Sequence, residues 1–179
     1  FQGIVRDDDR VATRNYIGIC STVNCSATVV RKVAEHFTPE RLAAYPNIDG
    51  VVAFSHGLGC GMEMSGEPMD LLRRTIAGYA RHVNVAATLI IGLGCERNQI
   101  AGLMNDQQLE AGPKLHAFTM QHTGGTRKTI AAAIAAVKEM LPEANAVKRE
   151  TVPASRLSRS IRKCWTESSW SSPKRSARA

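Results

Sequence analysis

Apolar residues gather in four short runs along the chain: Tyr16-Ile17-Gly18-Ile19-Cys20, Gly50-Val51-Val52-Ala53-Phe54, Ala87-Thr88-Leu89-Ile90-Ile91 and Leu115-His116-Ala117-Phe118-Thr119-Met120. Each is too short for a buried helix and nearly continuous rather than alternating. That is the pattern of strands covered on both faces. Each run leads into a small polar loop and then into a stretch with helical spacing. The predicted helices cover about 27–37, a segment carrying Leu71, Leu72, Ile76 and Tyr79, a segment near 99–104, and an alanine-rich stretch over 127–141 that Pro142 should end. Four strand–loop–helix units in series predict an α/β fold. The expected architecture is a Rossmann-like, three-layer parallel sheet of about four βα units with right-handed crossovers. Residues 1–15 read as a polar lead-in and 16–150 as the α/β domain. Residues 151–179 read as an irregular basic tail, rich in Ser and Arg and expected to be disordered.

Charge sharpens this division. The 179 residues carry a formal net charge of +7. Residues 151–179 hold seven of the 23 basic residues and one of the 16 acidic ones, so the first 150 are close to neutral. A basic face for nucleic acid is therefore not expected. No apolar run approaches the ~18 residues of a membrane span, and the first residues lack the pattern of a signal peptide. Five cysteines with no export signal point to a reducing, cytoplasmic setting, where cysteines act more often as ligands or nucleophiles than as disulfides.

Candidate chemistry sits in the loops after the strands, where ligands bind in open parallel sheets. Cys25, Cys60 and Cys95 each follow a predicted strand and are spaced 35 residues apart. Thiolates bind zinc, iron and iron–sulfur clusters. A buried cysteine is otherwise a small hydrophobe, and that is the reading for Cys20. His56, in the Cys60 loop, could ligate a metal, act as a base, or simply orient its loop. Glu96, next to Cys95, could be a base or could support a ligand through a hydrogen bond. His122 opens the fourth loop, and Gly124, Gly125 and Thr126 lead into a helix whose free N–H groups suit a carboxylate. Arg14 and Asn15 precede the first strand, where Arg14 could grip a carboxylate with two donors. There is no GxGxxG fingerprint or Walker loop.

Taken together, these segments resemble a known family. Gly3, Arg6, Arg10-Val11 and Thr13-Arg14-Asn15 come first, then Thr22-Val23-Asn24-Cys25-Ser26, His56-Gly57-Leu58-Gly59-Cys60-Gly61 and Gly92-Leu93-Gly94-Cys95-Glu96. Tyr45-Pro46-Asn47-Ile48-Asp49-Gly50-Val51-Val52 and Arg149-Glu150-Thr151-Val152-Pro153-Ala154-Ser155 fit as well. The order and content are similar to the central domain of the altronate/galactarate dehydratase family. The resemblance implies a hydro-lyase that removes water from a sugar acid to give a 2-keto-3-deoxy acid. It implies dependence on a divalent metal, usually Fe2+, with Mn2+ or an iron–sulfur cluster as alternatives. On that reading Cys25, Cys60 and Cys95 hold the metal, and His56 and Glu96 serve catalysis. Arg14, Asn15, Asn24, His122, Gly124, Gly125 and Thr126 hold the acid. The implied partners are the N- and C-terminal domains of the same enzyme; a homo-oligomer stays open. Two departures stand out. Asp9 and Ala12 occupy positions where the family usually has glycine. From Arg156 the chain leaves the family pattern, which suggests a truncation or a shifted reading frame. An inactive truncated piece of such an enzyme, or an unrelated α/β metal- or nucleotide-binding module, are the other readings.

Overall fold

The computed structural model describes residues 1–157, so the fifth cysteine, Cys164, and most of the stretch read as a basic tail lie outside the described residues. Strand β1 (Gln2–Val5) and β2 (Val11–Ala12) come first, then β3 (Tyr16–Ser21), a 3-10 turn (Asn24–Ser26) and α1 (Ala27–His36). They are followed by β4 (Gly50–Phe54), α2 (Glu67–Ala80), β5 (Val85–Gly92), α3 (Ile100–Asp106), β6 (Leu115–Thr119), α4 (Met120–Thr123), α5 (Thr126–Asn145) and β7 (Arg149–Thr151).

The main sheet has the order β4-β3-β5-β6 and is parallel throughout. Successive residues point to opposite faces. Ile17 and Ile19 of β3, with Ala87, Leu89 and Ile91 of β5, pack under α1 and α5. Cys20 and Ile90 face α2 and α3 with Leu72, Ile76 and Leu103. Both faces are thus covered, which is why the strands carry continuous apolar runs. Each fully buried Ile or Leu stabilises by about 1.5–3 kcal/mol. The expected α/β architecture is present, and Cys20 is core as read, at 1% exposure.

From β3 the chain moves outward to β4, and from β5 it moves outward the other way to β6. The order of winding therefore reverses between β3 and β5. That switch point, at the carboxyl ends of the strands, is where such sheets form a crevice.

Two expectations need correction. Helix α5 does not stop before Pro142 but runs on to Asn145. Its last turn is held from outside: Asn15 Nδ2 donates to Ala144 O, and Asn47 donates through its backbone N to Asn145 Oδ1 and through its Nδ2 to Asn145 O. These contacts offset the proline's missing donor. The lead-in and the first residues assigned to the tail are also ordered together. β1 pairs with β2 on one side and with β7 on the other, bringing Gln2 opposite Thr151, and Val152 is 3% exposed. Asp9, where the resemblance leads one to expect glycine, has φ +65°, a left-handed conformation that Asp tolerates better than most residues.

Candidate functional site

The carboxyl ends of β3, β4 and β5 carry Cys25, Cys60 and Cys95, and all three thiols are exposed. They form an electrostatic group. Desolvation, then Cys60 by charge and by hydrogen bond, and then Cys95 push the Cys25 thiol pKa upward. Asn24 Oδ1 also lies 3.6 Å from the Cys25 sulfur.

Backbone and buried side chains bring the loops together. Asn24 N donates to Leu58 O at 2.8 Å, joining the first loop to the second. Arg97 N and Asn98 N both donate to Gly59 O, at 3.0 and 3.2 Å, joining the third loop to the second. Gly59 has φ +98°, and a Cβ there would run into Thr22 O, so the crossing of the first two loops requires glycine. Gly94 has φ +123° and is packed against the Gln121 side chain of α4.

Glu96 lies at the bottom of the crevice, 3% exposed. Its Oε1 accepts from Thr22 Oγ1 at 2.8 Å and from Leu93 N at 3.1 Å, and its Oε2 accepts from Gly94 N at 2.5 Å. Both oxygens are therefore engaged in holding the loops after β3 and β5. His56 is similarly occupied. Its Nε2 is 2.9 Å from Ser21 O, and since a carbonyl only accepts, Nε2 carries the proton. Its Nδ1 accepts from Leu58 N at 3.1 Å. Burial lowers the His56 pKa, opposed by the bond to Ser21, so the ring is held neutral.

The remaining sequence candidates divide between the two ends of the sheet. His122, exposed on α4, and Gly124, Gly125 and Thr126 at the start of α5 belong to the carboxyl end. Among the described residues the His122 ring has no hydrogen-bond or ion-pair partner. The first turn of α5 contains no acid and carries Arg127 and Lys128. Arg14 and Asn15 instead precede β3 and lie at the amino end, opposite the cysteines. Asn15 is fully buried: its N donates to Asp49 Oδ2, its Nδ2 donates to Asn47 O and Ala144 O, and its Oδ1 accepts from Arg6. Arg14 reaches Asp49 at 3.4 Å. Sequence reading passed over Thr22, Arg73 and Asn98. Asn98, 0% exposed, donates from Nδ2 to Thr22 O and accepts at Oδ1 from Arg73 Nε, each at 3.1 Å. Its only sequence signal is a polar residue three positions beyond a loop cysteine.

Three coupled, exposed thiols are the right donors for iron or another soft metal. Three thiolates on one tetrahedral ion at bonds of about 2.3 Å would stand about 3.8 Å apart. Among the described residues no set of three His, Cys, Asp or Glu side chains is arranged to hold an ion as it stands. A cavity of about 640 Å³ opens elsewhere, at the amino end among Arg6, Arg81, Lys114 and Lys148. A second, of about 410 Å³, runs from His56 and Leu58 along α2 to Tyr79.

A parallel α/β sheet with helices on both faces and thiol-bearing loops at its switch point defines a domain of the three-layer α/β class. The family model for "D-galactarate dehydratase/Altronate hydrolase, second domain" matches residues 3–145, and the chain belongs to that family. It is 27% identical over 157 residues to altronate dehydratase of Bacillus subtilis, covering 88% of this chain and 30% of that protein. It is 38% identical over 96 residues to altronate dehydratase of Escherichia coli, covering 54% and 19%. It is 28% identical over 157 residues to the (2R)-sulfolactate sulfo-lyase subunit beta of Chromohalobacter salexigens, covering 88% and 36%. The chain thus spans about a third or less of these relatives' length. No described helix is long and apolar enough to cross a membrane.

Proposed function

We propose that this chain is the thiol-bearing part of an iron-dependent hydro-lyase that dehydrates a sugar acid of the altronate or galactarate type to a 2-keto-3-deoxy acid. The observation that carries the reading is the match of residues 3–145 to a dehydratase-family domain in which Cys25, Cys60 and Cys95 are exposed on the loops after three adjacent strands. These thiolates would hold the iron, as Fe2+ or as an iron–sulfur cluster. When bound, the metal supplies a Lewis acid that polarises the substrate's carboxylate and leaving hydroxyl.

The chain's own residues divide the remaining work. The open N–H groups at the start of α5, with Arg127 and Lys128, take the carboxylate. Asn24 stands beside Cys25 to orient a hydroxyl. His56 and Glu96 spend their polar atoms on the loops, so they shape the site rather than exchange protons with substrate. His122 is the imidazole at this end with its ring unengaged, and we assign it removal of the C2 proton. The remaining length of the relatives would close over the exposed thiols and complete the pocket.

The similarity to a sulfo-lyase subunit supports a second reading, in which the C2 proton is removed in the same way and the group that leaves from C3 is sulfite rather than hydroxide. The test is an anaerobic assay of 2-keto acid formation by the longest polypeptide the gene encodes. Altronate, galactarate and sulfolactate are each supplied with and without ferrous iron. Iron-dependent product from altronate or galactarate, reduced at least about 100-fold by Cys60→Ser, is expected. Product from sulfolactate with sulfite release would select the second reading. Full activity without iron would overturn both.

A further inference from the structure

Nothing covalent relates the three cysteine loops, which come from three different strands. Their mutual placement is set by a small buried polar unit. Thr22 follows β3, Glu96 and Asn98 follow β5, and all three are at most 3% exposed. Glu96 accepts from Thr22 Oγ1 and from the backbone N–H groups of Leu93 and Gly94. Asn98 engages its backbone N and both ends of its side-chain amide: N to Gly59 O, Nδ2 to Thr22 O, and Oδ1 from Arg73. Arg73 on α2 also pairs with Asp106 on α3. The first loop is thereby bonded to the third through both Glu96 and Asn98, and the second to the third through Asn98 and Arg97. The unit touches all three cysteine loops while lying one to three residues from each thiol's own anchor in the backbone.

We infer that Glu96 and Asn98 are positioning residues that set the mutual placement of the Cys25, Cys60 and Cys95 loops and so decide whether their thiols can bind one thiophilic atom together. This rests on the thiolate reading above. The chemistry of the unit explains its residue types. Glu96 meets three donors and therefore needs an acceptor at both oxygens. Gln would turn its NH2 against one of those donors, leaving two donors face to face. Asn98 must both donate to Thr22 O and accept from Arg73, which neither Asp nor Leu can do. The same burial keeps both side chains beneath the thiols, so they act on a bound group through the loops.

Phenylarsine oxide tests the inference without any enzymatic readout. Its oxygen leaves as water when two neighbouring thiols supply their hydrogens and form two As–S bonds, with no redox change. The whole chain, reduced and in a Cys164→Ser background, is titrated with the arsenical and followed by intact mass and peptide mapping. Expected is one arsenic per chain on the Cys25 loop set, lost in Cys60→Ser. Glu96→Gln and Asn98→Ala should weaken uptake by about 10-fold or more at unchanged far-ultraviolet circular dichroism. Thr22→Val, which keeps the shape and removes one bond to Glu96, should weaken it less and decides the matter if either larger change prevents folding. Asp49→Asn, at the opposite end of the sheet, should lower the melting temperature and leave uptake unchanged. Uptake in Glu96→Gln, Asn98→Ala and Thr22→Val equal to that of the parent overturns the positioning role. Failure of the parent itself to take up arsenic at Cys25 and Cys60 overturns the thiolate reading on which it rests.

Discussion

At the amino end of the sheet, Asn15, Asp49 and Arg149 close on one another, and the polar atoms of Asn15 are consumed within the protein. At the carboxyl end, Thr22, Glu96 and Asn98 are buried just as deeply, but above them three thiols and the first turn of α5 face outward. Both ends are knit by buried side chain–backbone hydrogen bonds. They differ in what is left over. The amino-end network fastens α5 and the small sheet to the body, through Ala144 O and through the pair between Arg149 and Asp49. The carboxyl-end network fastens three loops to one another and leaves their tips free. A buried polar cluster therefore marks either a seam or a site, and the exposed groups next to it tell the two apart.

Four substitutions or conditions probe this contrast. The largest effect is expected at Gly59, where φ is +98° and a Cβ would meet Thr22 O. Gly59→Ala should destabilise by at least about 3 kcal/mol in chemical denaturation and also abolish arsenical uptake. Retained uptake would mean that the crossing of the first two loops does not set the thiols. Next comes Asn15→Ala, which removes two buried donor bonds and the acceptor of Arg6; about 2–4 kcal/mol should be lost with uptake intact. A loss of uptake there would tie the two ends together. Asp49→Asn weakens charge-assisted bonds to Asn15 N and Arg149, and a loss of about 1–2 kcal/mol is expected, read from the urea midpoint.

The smallest effect is a pH dependence. Burial lowers the His56 pKa, and desolvation with a lesser contribution from Arg10 lowers that of His82. The unfolded chain then binds protons more readily than the folded one. Stability from these rings is complete above the ordinary histidine value of about 6.5 and declines as pH falls through it. Melting temperature measured from pH 8 to pH 5 should fall. His56→Gln should flatten part of that fall and His82→Gln another part. An unchanged slope in His56→Gln would mean that the ring is not held neutral.

The sequence made the sheet legible because its strands are covered on both faces, which writes them as continuous apolar runs; β4 begins and ends where Gly50-Val51-Val52-Ala53-Phe54 does. It made the cysteines legible because each sits in a short polar loop directly after such a run. The end of α5 was hidden because its last turn is satisfied by Asn15 and Asn47, more than 90 residues away in the chain. The small sheet was hidden for the same reason, since β1 and β7 find each other across the whole domain. Arg14 and Asn15 read as ligand-binding residues because they adjoin a strand, but the direction of the strand puts them at its amino end. For His56 the sequence left ligand, base and loop-orienting roles open, and for Glu96 a base or a supporting group; their partners Ser21, Leu58, Thr22 and Leu93 engage them within the loops. Asn98 carried almost no signal, because a single asparagine becomes informative only when its three partners are known.

The central claim is that Cys25, Cys60 and Cys95 form one iron-binding unit. Iron content after anaerobic loading with ferrous iron, and with ferrous iron plus sulfide, measures this directly in the parent chain and in the single serine variants. One thiolate-bound centre per chain is predicted, lost in Cys25→Ser, Cys60→Ser and Cys95→Ser alike and retained in Cys20→Ala. Iron binding that survives each of the three serine substitutions would contradict the account.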